Sequence, residues 1–287
     1  MQDFTIFTDM GCDISPALLQ SWGVELVDLT LNTDSGGSLP LSTLSVSDFY
    51  AQMRMGKTFR TAAANLNDYL SRFEPFLRAG QDVLYLSFSG SLSNTVNTAR
   101  MAARELMETY PRQQVMVLDP LCASAGLGLL TFFAVRKRDA GASLSDTAAY
   151  LRDISPRLCH WFTVDDLAYL KRGGRLSAAV ACLGTVLNLK PVMHMDDTGA
   201  LTNVQKVRGR KQAVKALAER YSLLAEDPDS GVYFISHGDC IEDAQRLESL
   251  IREKHADPAA LITDIGPVIG SHAGPGTLAV FFIGKQR

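Results

Sequence analysis

Up to about residue 160 the chain alternates short apolar runs with stretches of helical amphipathic period, at 4–8, 24–31, 83–88 and 115–118 against 65–79, 92–109 and 121–140. This rhythm restricts the fold more than any other feature, because strands alternating with helices build β-α units around a mainly parallel sheet. After a helix at 143–154 the pattern changes. A strand at 159–163, a helix from Asp165 and two β-rich runs at 188–195 and 200–207 follow, the runs joined by Asp196-Asp197-Thr198-Gly199. An Asp-rich turn with Gly between apolar runs is a hairpin signal, so antiparallel pairing is expected in this half. Helices at 209–225 and 241–256 then alternate with strands at 232–236, 261–265 and 278–283. The expectation is an α/β protein of two domains. Residues 1–158 form a mainly parallel sheet with flanking helices, and residues 159–287 form an α/β domain with a mixed sheet. The Gly-, Ser- and Thr-rich segment 32–44 reads as a surface excursion.

A chain of 287 residues, 46% of them hydrophobic, can bury the cores this organisation needs. Its formal net charge of −3 argues against a surface built as a whole for nucleic acid or anionic membrane, while leaving room for a local basic patch. Cys12, Cys122, Cys159, Cys182 and Cys240 are odd in number and scattered, which suggests neither a disulfide framework nor a metal knuckle. Asp3 and the strand directly after it replace the basic and apolar start of an export signal, so a cytoplasmic location is expected. The weakly polar run 121–135 has 15 residues and ends at Arg136-Lys137-Arg138, whereas a membrane span needs about 20. It reads as a buried helix.

Three segments carry the chemistry. Ser87-Phe88-Ser89-Gly90-Ser91-Leu92-Ser93-Asn94-Thr95 follows an apolar strand and opens a helix, where uncovered N–H groups attract a carboxylate or phosphate. The plainer alternative is that Ser91 or Ser93 caps that helix. Residues 266–276 hold two Gly-Pro pairs around His272, a loop stiff enough to fix backbone direction and open enough for a ligand to approach closely. It serves equally well as a structural turn. Residues 164–177, with Gly173-Gly174-Arg175, read as helix, double-Gly stop and new helix. With Gly184, Lys190 and the basic run 206–211 they make a positive stretch suited to phosphate or an acidic partner, or simply a solvated face.

His160, His194, His237 and His255 lack metal-ligand spacing and read as structural or solvated. Met55-Gly56-Lys57-Thr58 mimics the end of a phosphate-binding loop, but Ala51 stands where that motif needs Gly and the context is helical. No nucleophile elbow or zinc-protease motif is present, so no catalytic residue, metal or cofactor is assigned.

In order and spacing these segments resemble the DegV family along almost the whole chain. The resemblance rests on 7–14 (Phe-Thr-Asp-Met-Gly-Cys-Asp-Ile), Thr61, 89–95, 164–177, 206–211 and His272-Ala273-Gly274-Pro275-Gly276. It implies a two-domain α/β fold holding a long-chain fatty acid between its domains. It also implies a role as the fatty-acid-binding subunit of a bacterial fatty acid kinase, whose separate ATP-binding subunit makes an acyl phosphate for phospholipid synthesis. Carried over residue by residue, the carboxyl contacts fall on Thr61, Ser93 and His272, with support from Ser91, Asn94 and Gly274. Arg175 and Arg208 become candidates for contact with the kinase or the transferred phosphate. The expected partners are the fatty acid and the kinase subunit, with transient membrane contact and no nucleic acid. Where many members read Thr-Ser-Gln-Pro, this chain has Thr61-Ala62-Ala63-Ala64, which removes a hydroxyl and an amide beside the expected carboxyl site. Asn94 replaces a common Gly and Met10 a common Ser. Two other functions compete: a lipid-sensing regulatory protein, and a hydrolase or acyltransferase using Ser93 with His272.

Overall fold

The computed structural model describes residues 4–33, 38–40, 44–176 and 188–287. Met1 to Asp3, Cys182, Ser177, Gly184 and the helix expected after Gly174 lie outside them. The first half runs β1 (Phe4–Asp9), α1 (Pro16–Ser21), β2 (Val24–Val27), β3 (Thr30–Thr33), β4 (Ser38–Pro40), α2 (Val46–Arg54), β5 (Phe59–Ala62), α3 (Leu66–Arg78), β6 (Asp82–Leu86), α4 (Thr95–Thr109), β7 (Val115–Leu118), α5 (Ala125–Asp139) and α6 (Leu144–Ile154). The second half runs β8 (Leu158–Thr163), α7 (Leu167–Arg172), β9 (Leu189–Met195), β10 (Leu201–Arg208), α8 (Arg210–Leu224), β11 (Val232–His237), α9 (Ile241–Arg252), β12 (Ala259–Asp264), α10 (Pro267–Ala273) and β13 (Leu278–Ile283).

The alternation of the first half becomes a four-stranded, wholly parallel sheet in the order β2-β1-β6-β7. The second half builds a six-stranded mixed sheet, β10-β9-β8-β13-β11-β12, in which only β11 and β12 run parallel. The hairpin expected around Asp196–Gly199 is the β9-β10 antiparallel pair, with Leu201 opposite Met195. Helix starts follow local signals: Ser45, Asn65 and Ser143 each accept a hydrogen bond from the N–H three residues on, and Asp68 returns one from Asn65 N–H.

Two segments depart from the sequence reading. Residues 32–44 are not a plain excursion, since β3 and β4 pair there, and β3 also pairs with β5 to complete a small antiparallel sheet. Its strands lack a strong apolar alternation of their own, and the pairing comes from β5, distant in sequence. Residues 266–276 are not only a loop: 267–273 are helical. Pro267 suits the first helical turn, where its missing N–H has no partner to lose. Gly270 is there for packing, because a Cβ would come within 2.7 Å of both Phe49 and the Tyr50 hydroxyl.

Helix α5 sits between the two large sheets, against β1 on one side and β8, β11 and β13 on the other. Its residues from Ala125 to Thr131 are all buried, so its first two turns have no solvent face, while Arg136 and Asp139 reach solvent at its other end. The exceptions to its apolar character are neutralised locally. Thr131 Oγ1 donates to the Leu127 carbonyl at 2.8 Å, and the buried Arg138 donates to the carbonyls of Gly23 (2.8 Å) and Trp22 (2.5 Å). Gly128 lets the helix approach the 12–14 segment, where a Cβ would lie 2.8 Å from the Cys12 carbonyl. Leu129, fully buried in α5, therefore has neighbours on every side. Leu129→Ala is expected to cost about 2–5 kcal/mol in urea unfolding, with the slope of the transition unchanged.

Candidate functional site

A cavity opens at the N-terminal end of α5. It contains about 920 Å³ of atom-free space, its open mouth included. One wall is the second sheet. Alternate residues of a strand share a face, so Thr277, Ala279 and Phe281 of the β13 segment line the cavity beside Phe162 and His160 of β8. At about 3.4 Å per residue, Thr277 to Phe281 spans about 14 Å, which makes the space a slot. Phe88, Leu170, Val268 and Met195 add apolar surface.

The far end of the slot is the rung where Phe281 faces His160, their rings edge to face at 5.3 Å. His160 takes a hydrogen bond from Ala123 N–H at Nε2 (3.2 Å) and gives one from Nδ1 to the Leu158 carbonyl (3.1 Å). Burial, with the positive charge of Arg287 adding to it, pushes its pKa down to about 3. It is a neutral, fully paired wall, in keeping with a structural role. Of the other histidines, His194 stacks on Trp161, His237 lies 3.5 Å from Asp264, and His255 pairs with Ser222 and Asp229, all away from the cavity.

The near end is polar. β5, held in the small sheet with Thr61 opposite Leu31, presents Thr61 to His272, and Thr61 Oγ1 lies 2.9 Å from Nε2. The other ring nitrogen, Nδ1, is buried and has no hydrogen-bond partner among the described residues. Burial, then the nearby Arg175 charge, pushes the His272 pKa down to about 4, so the ring is neutral at pH 7. Unpaired buried N–H groups are rarer than unpaired acceptors, which favours the tautomer with the proton on Nε2, donating to Thr61. The Thr61 hydroxyl proton is then free to point at a ligand.

Ser93 is in a similar state: its Oγ lies 2.7 Å from Thr95 Oγ1 and 3.3 Å from Thr95 N–H. If Ser93 accepts both, its own proton is free too. Asn94, the residue before α4, contributes no side-chain cap. Arg175 also lines the cavity; its guanidinium reaches the carbonyls of Leu92 (3.3 Å) and Gly173 (2.5 Å) and has no carboxylate partner among the described residues. With the protons so placed, two hydroxyl donors and a cation without a carboxylate partner among the described residues face one apolar slot, an arrangement fitted to a carboxylate with a long apolar tail.

Glycines make this end. α7 and α10 interlock: a Cβ on Gly173 would come 2.4 Å from His272 Nδ1, and one on Gly274 (φ +83°) would come 2.4 Å from the Tyr169 ring. Gly274 therefore supports the site from behind and does not line it. Ser91 and Asn94 are exposed and also stand outside the lining; Ser91 Oγ donates to the Thr198 carbonyl, and Asn94 Oδ1 accepts from Asn97 at 2.7 Å. Ala62 and Ala63 do line the cavity, so the departure after Thr61 makes the head of the slot less polar. Arg208 lies on the edge strand β10, exposed and without an ion pair among the described residues. Its neighbour Arg210 is instead bound to Asp243 (2.8 Å) and Asp165 (3.5 Å). Sequence reasoning did not single out Ser124, His160 or the placement of Arg175 on the cavity. Period two along β8 would have put His160 and Phe162 on one face, but which face meets the cavity depends on α5.

Comparison with known proteins agrees with this geometry. A sequence profile described as the DegV family of uncharacterised proteins matches residues 3–285. This chain belongs to the DegV family. A DegV domain-containing protein of Clostridium perfringens is 37% identical over 289 residues, covering 100% of this chain and 99% of the relative. Among solved structures, a DegV family protein from Thermus thermophilus described by its fatty acid binding superposes with a TM-score of 0.88 at 29% identity, covering 97% of this chain and 98% of the other. A DegV lipid-binding protein from Thermotoga maritima gives 0.86 at 25%, covering 99% of each. The DegV fold, with its parallel and mixed sheets, is thus the fold of this chain.

The depressed His272 pKa sets a testable sign. A histidine whose folded pKa lies below its unfolded value contributes stability above about pH 6.5 that is lost as pH falls towards 4. NMR titration of the His272 ring should give a midpoint near 4, and His272→Gln should lessen the fall in stability between pH 6.5 and 4; a midpoint above 6 would mean a solvated ring.

Proposed function

We propose that this protein holds a long-chain fatty acid in the slot, with its carboxylate on the hydroxyls of Thr61 and Ser93, the Thr61 hydroxyl oriented by His272, and its tail along the second sheet towards Phe281. The observation that carries the reading is a long apolar slot closed at one end by two hydroxyls, a neutral histidine and a guanidinium that has no carboxylate partner among the described residues. Arg175 joins the head-group site and favours the ionised acid. Each methylene buried adds about 0.8 kcal/mol, while the polar end fixes which way the acid lies. The fatty-acid-binding DegV protein of Thermus thermophilus supports the same ligand class.

We further propose that the held acid is presented to a separate ATP-dependent kinase subunit in the cytoplasm, and that the acid is exchanged during transient contact with membranes. Two observations support it: the nucleotide motif fails at Ala51, and Arg208 is exposed on an edge strand where it can meet an acidic surface or a phosphate. Arg175 is less suited to a docking role, since it is engaged at the cavity. The arrangement does not favour a hydrolase built on Ser93 and His272: His272 bonds Thr61 and Ser93 bonds Thr95, so these two do not pair.

Protein purified from a bacterial host should release fatty acid on denaturation, detected by mass spectrometry. Ligand-free protein that also refuses palmitate and oleate would sink the reading. Ser93→Ala should weaken palmitate binding about tenfold or more, the scale of one hydrogen bond to a charged group. In a reconstituted mixture with the kinase subunit, Arg208→Ala should lower acyl-phosphate formation while leaving palmitate affinity unchanged; unchanged turnover would remove Arg208 from the docking surface.

A further inference from the structure

Asp13 does not line the slot, yet it holds both ends of the wall that does. It is 5% exposed and adopts φ +51° directly after the 3₁₀ turn at Met10–Cys12. Its Oδ2 accepts from Ser124 Oγ at 2.5 Å, and Ser124 both precedes α5 and lines the slot. Its Oδ1 accepts from Gly266 N–H at 2.8 Å, the residue that opens α10, the helix bearing His272. Its carbonyl accepts from Thr263 Oγ1 at 2.7 Å. Ser236 Oγ lies 3.0 Å from Ser124 Oγ and extends the network to β11. One carboxyl group from the first sheet thereby joins the start of the helix behind the tail to the start of the helix that carries the head-group ligand.

We propose that Asp13 is the positioning residue of the head-group site: by fixing the start of α10 against α5 it sets where His272 meets Thr61. The inference rests on the fatty-acid reading above and adds to it a residue that touches no ligand. The fit is close, since a Cβ on Gly266 would sit 3.2 Å from Asp13 Oδ1. The ionisable groups around Asp13 are Asp9 from β1, Cys12, Tyr50 from α2, whose hydroxyl donates to the Ile265 carbonyl, and Asp264 from β12 with His237 beside it. No cation pairs with it among the described residues. Burial pushes its carboxyl up to about 8, Asp264 and Asp9 add to the push, and the bonds from Ser124 and Gly266 oppose it. In the protonated form the Asp13–Ser124 bond persists with its proton reversed, and the Gly266 bond is unaffected.

The test compares palmitate with hexadecanol, which shares the tail and lacks the carboxylate, so that effects on the tail cancel in the ratio of affinities. Asp13→Ala should lower the acid-to-alcohol ratio about tenfold, the scale of a misplaced charged hydrogen bond. Asp13→Asn should keep the ratio, because its carbonyl can accept from Gly266 while its amide donates to Ser124. Gly266→Ala, whose methyl crowds the carboxylate without altering Asp13, should lower the ratio as Asp13→Ala does, and it decides the matter if Asp13→Ala does not fold. An unchanged ratio in either variant, or an Asp13→Asn loss equal to that of Asp13→Ala, overturns the proposal. Wild-type protein that takes up neither ligand removes the fatty-acid reading itself; wild-type preference for the acid with no effect at Asp13 removes only this inference.

Discussion

Helix α5 is buried against both large sheets, and the rest of the structure is arranged to make that burial tolerable. Its first two turns have no solvent face and must be covered on every side, so the parallel sheet and the mixed sheet each turn an apolar surface towards them. Its polar ends then need partners supplied by the tertiary fold. At the C-terminal end Arg138 closes onto the carbonyls of Trp22 and Gly23, serving the end of α1 and the end of α5 together. At the N-terminal end Ser124 turns its hydroxyl to Asp13, and the backbone there adopts φ +53°. The slot lies directly beside this second end.

Placing a cavity there joins two requirements that would otherwise conflict. An apolar tail wants a dry wall without free donors, and the sheet face of Phe162, Ala279 and Phe281 supplies it, with His160 made inert by two hydrogen bonds. A carboxylate wants converging donors. These come from β5, from the segment before α4 and from the turn after α7, with His272 of α10 orienting Thr61, and the glycines Gly173 and Gly274 let α7 and α10 close on each other. The four described thiols take no part: burial pushes Cys122 and Cys159 up to about 12 and Cys240 up to about 11, and moves Cys12 in the same direction.

Much of this was legible in the chain itself. The alternation of apolar runs with amphipathic stretches specified the parallel sheet, and Asp196–Gly199 specified the β9-β10 turn, because each of these signals is spent within a few residues of where it is written. Thr61, Ser93 and His272 were named through family resemblance, and all three do line one cavity. What only the tertiary structure decided is contact across long separations. Thr61 meets His272 from 211 residues away, Asp13 meets Gly266 from 253, and Arg175 leaves the basic stretch to face the slot. Gly270 and Pro267, which read locally as turn residues, belong to a helix because Phe49 and Tyr50 press against it. Local periodicity sets which elements form; close packing around the buried first turns of α5 sets which of their side chains meet.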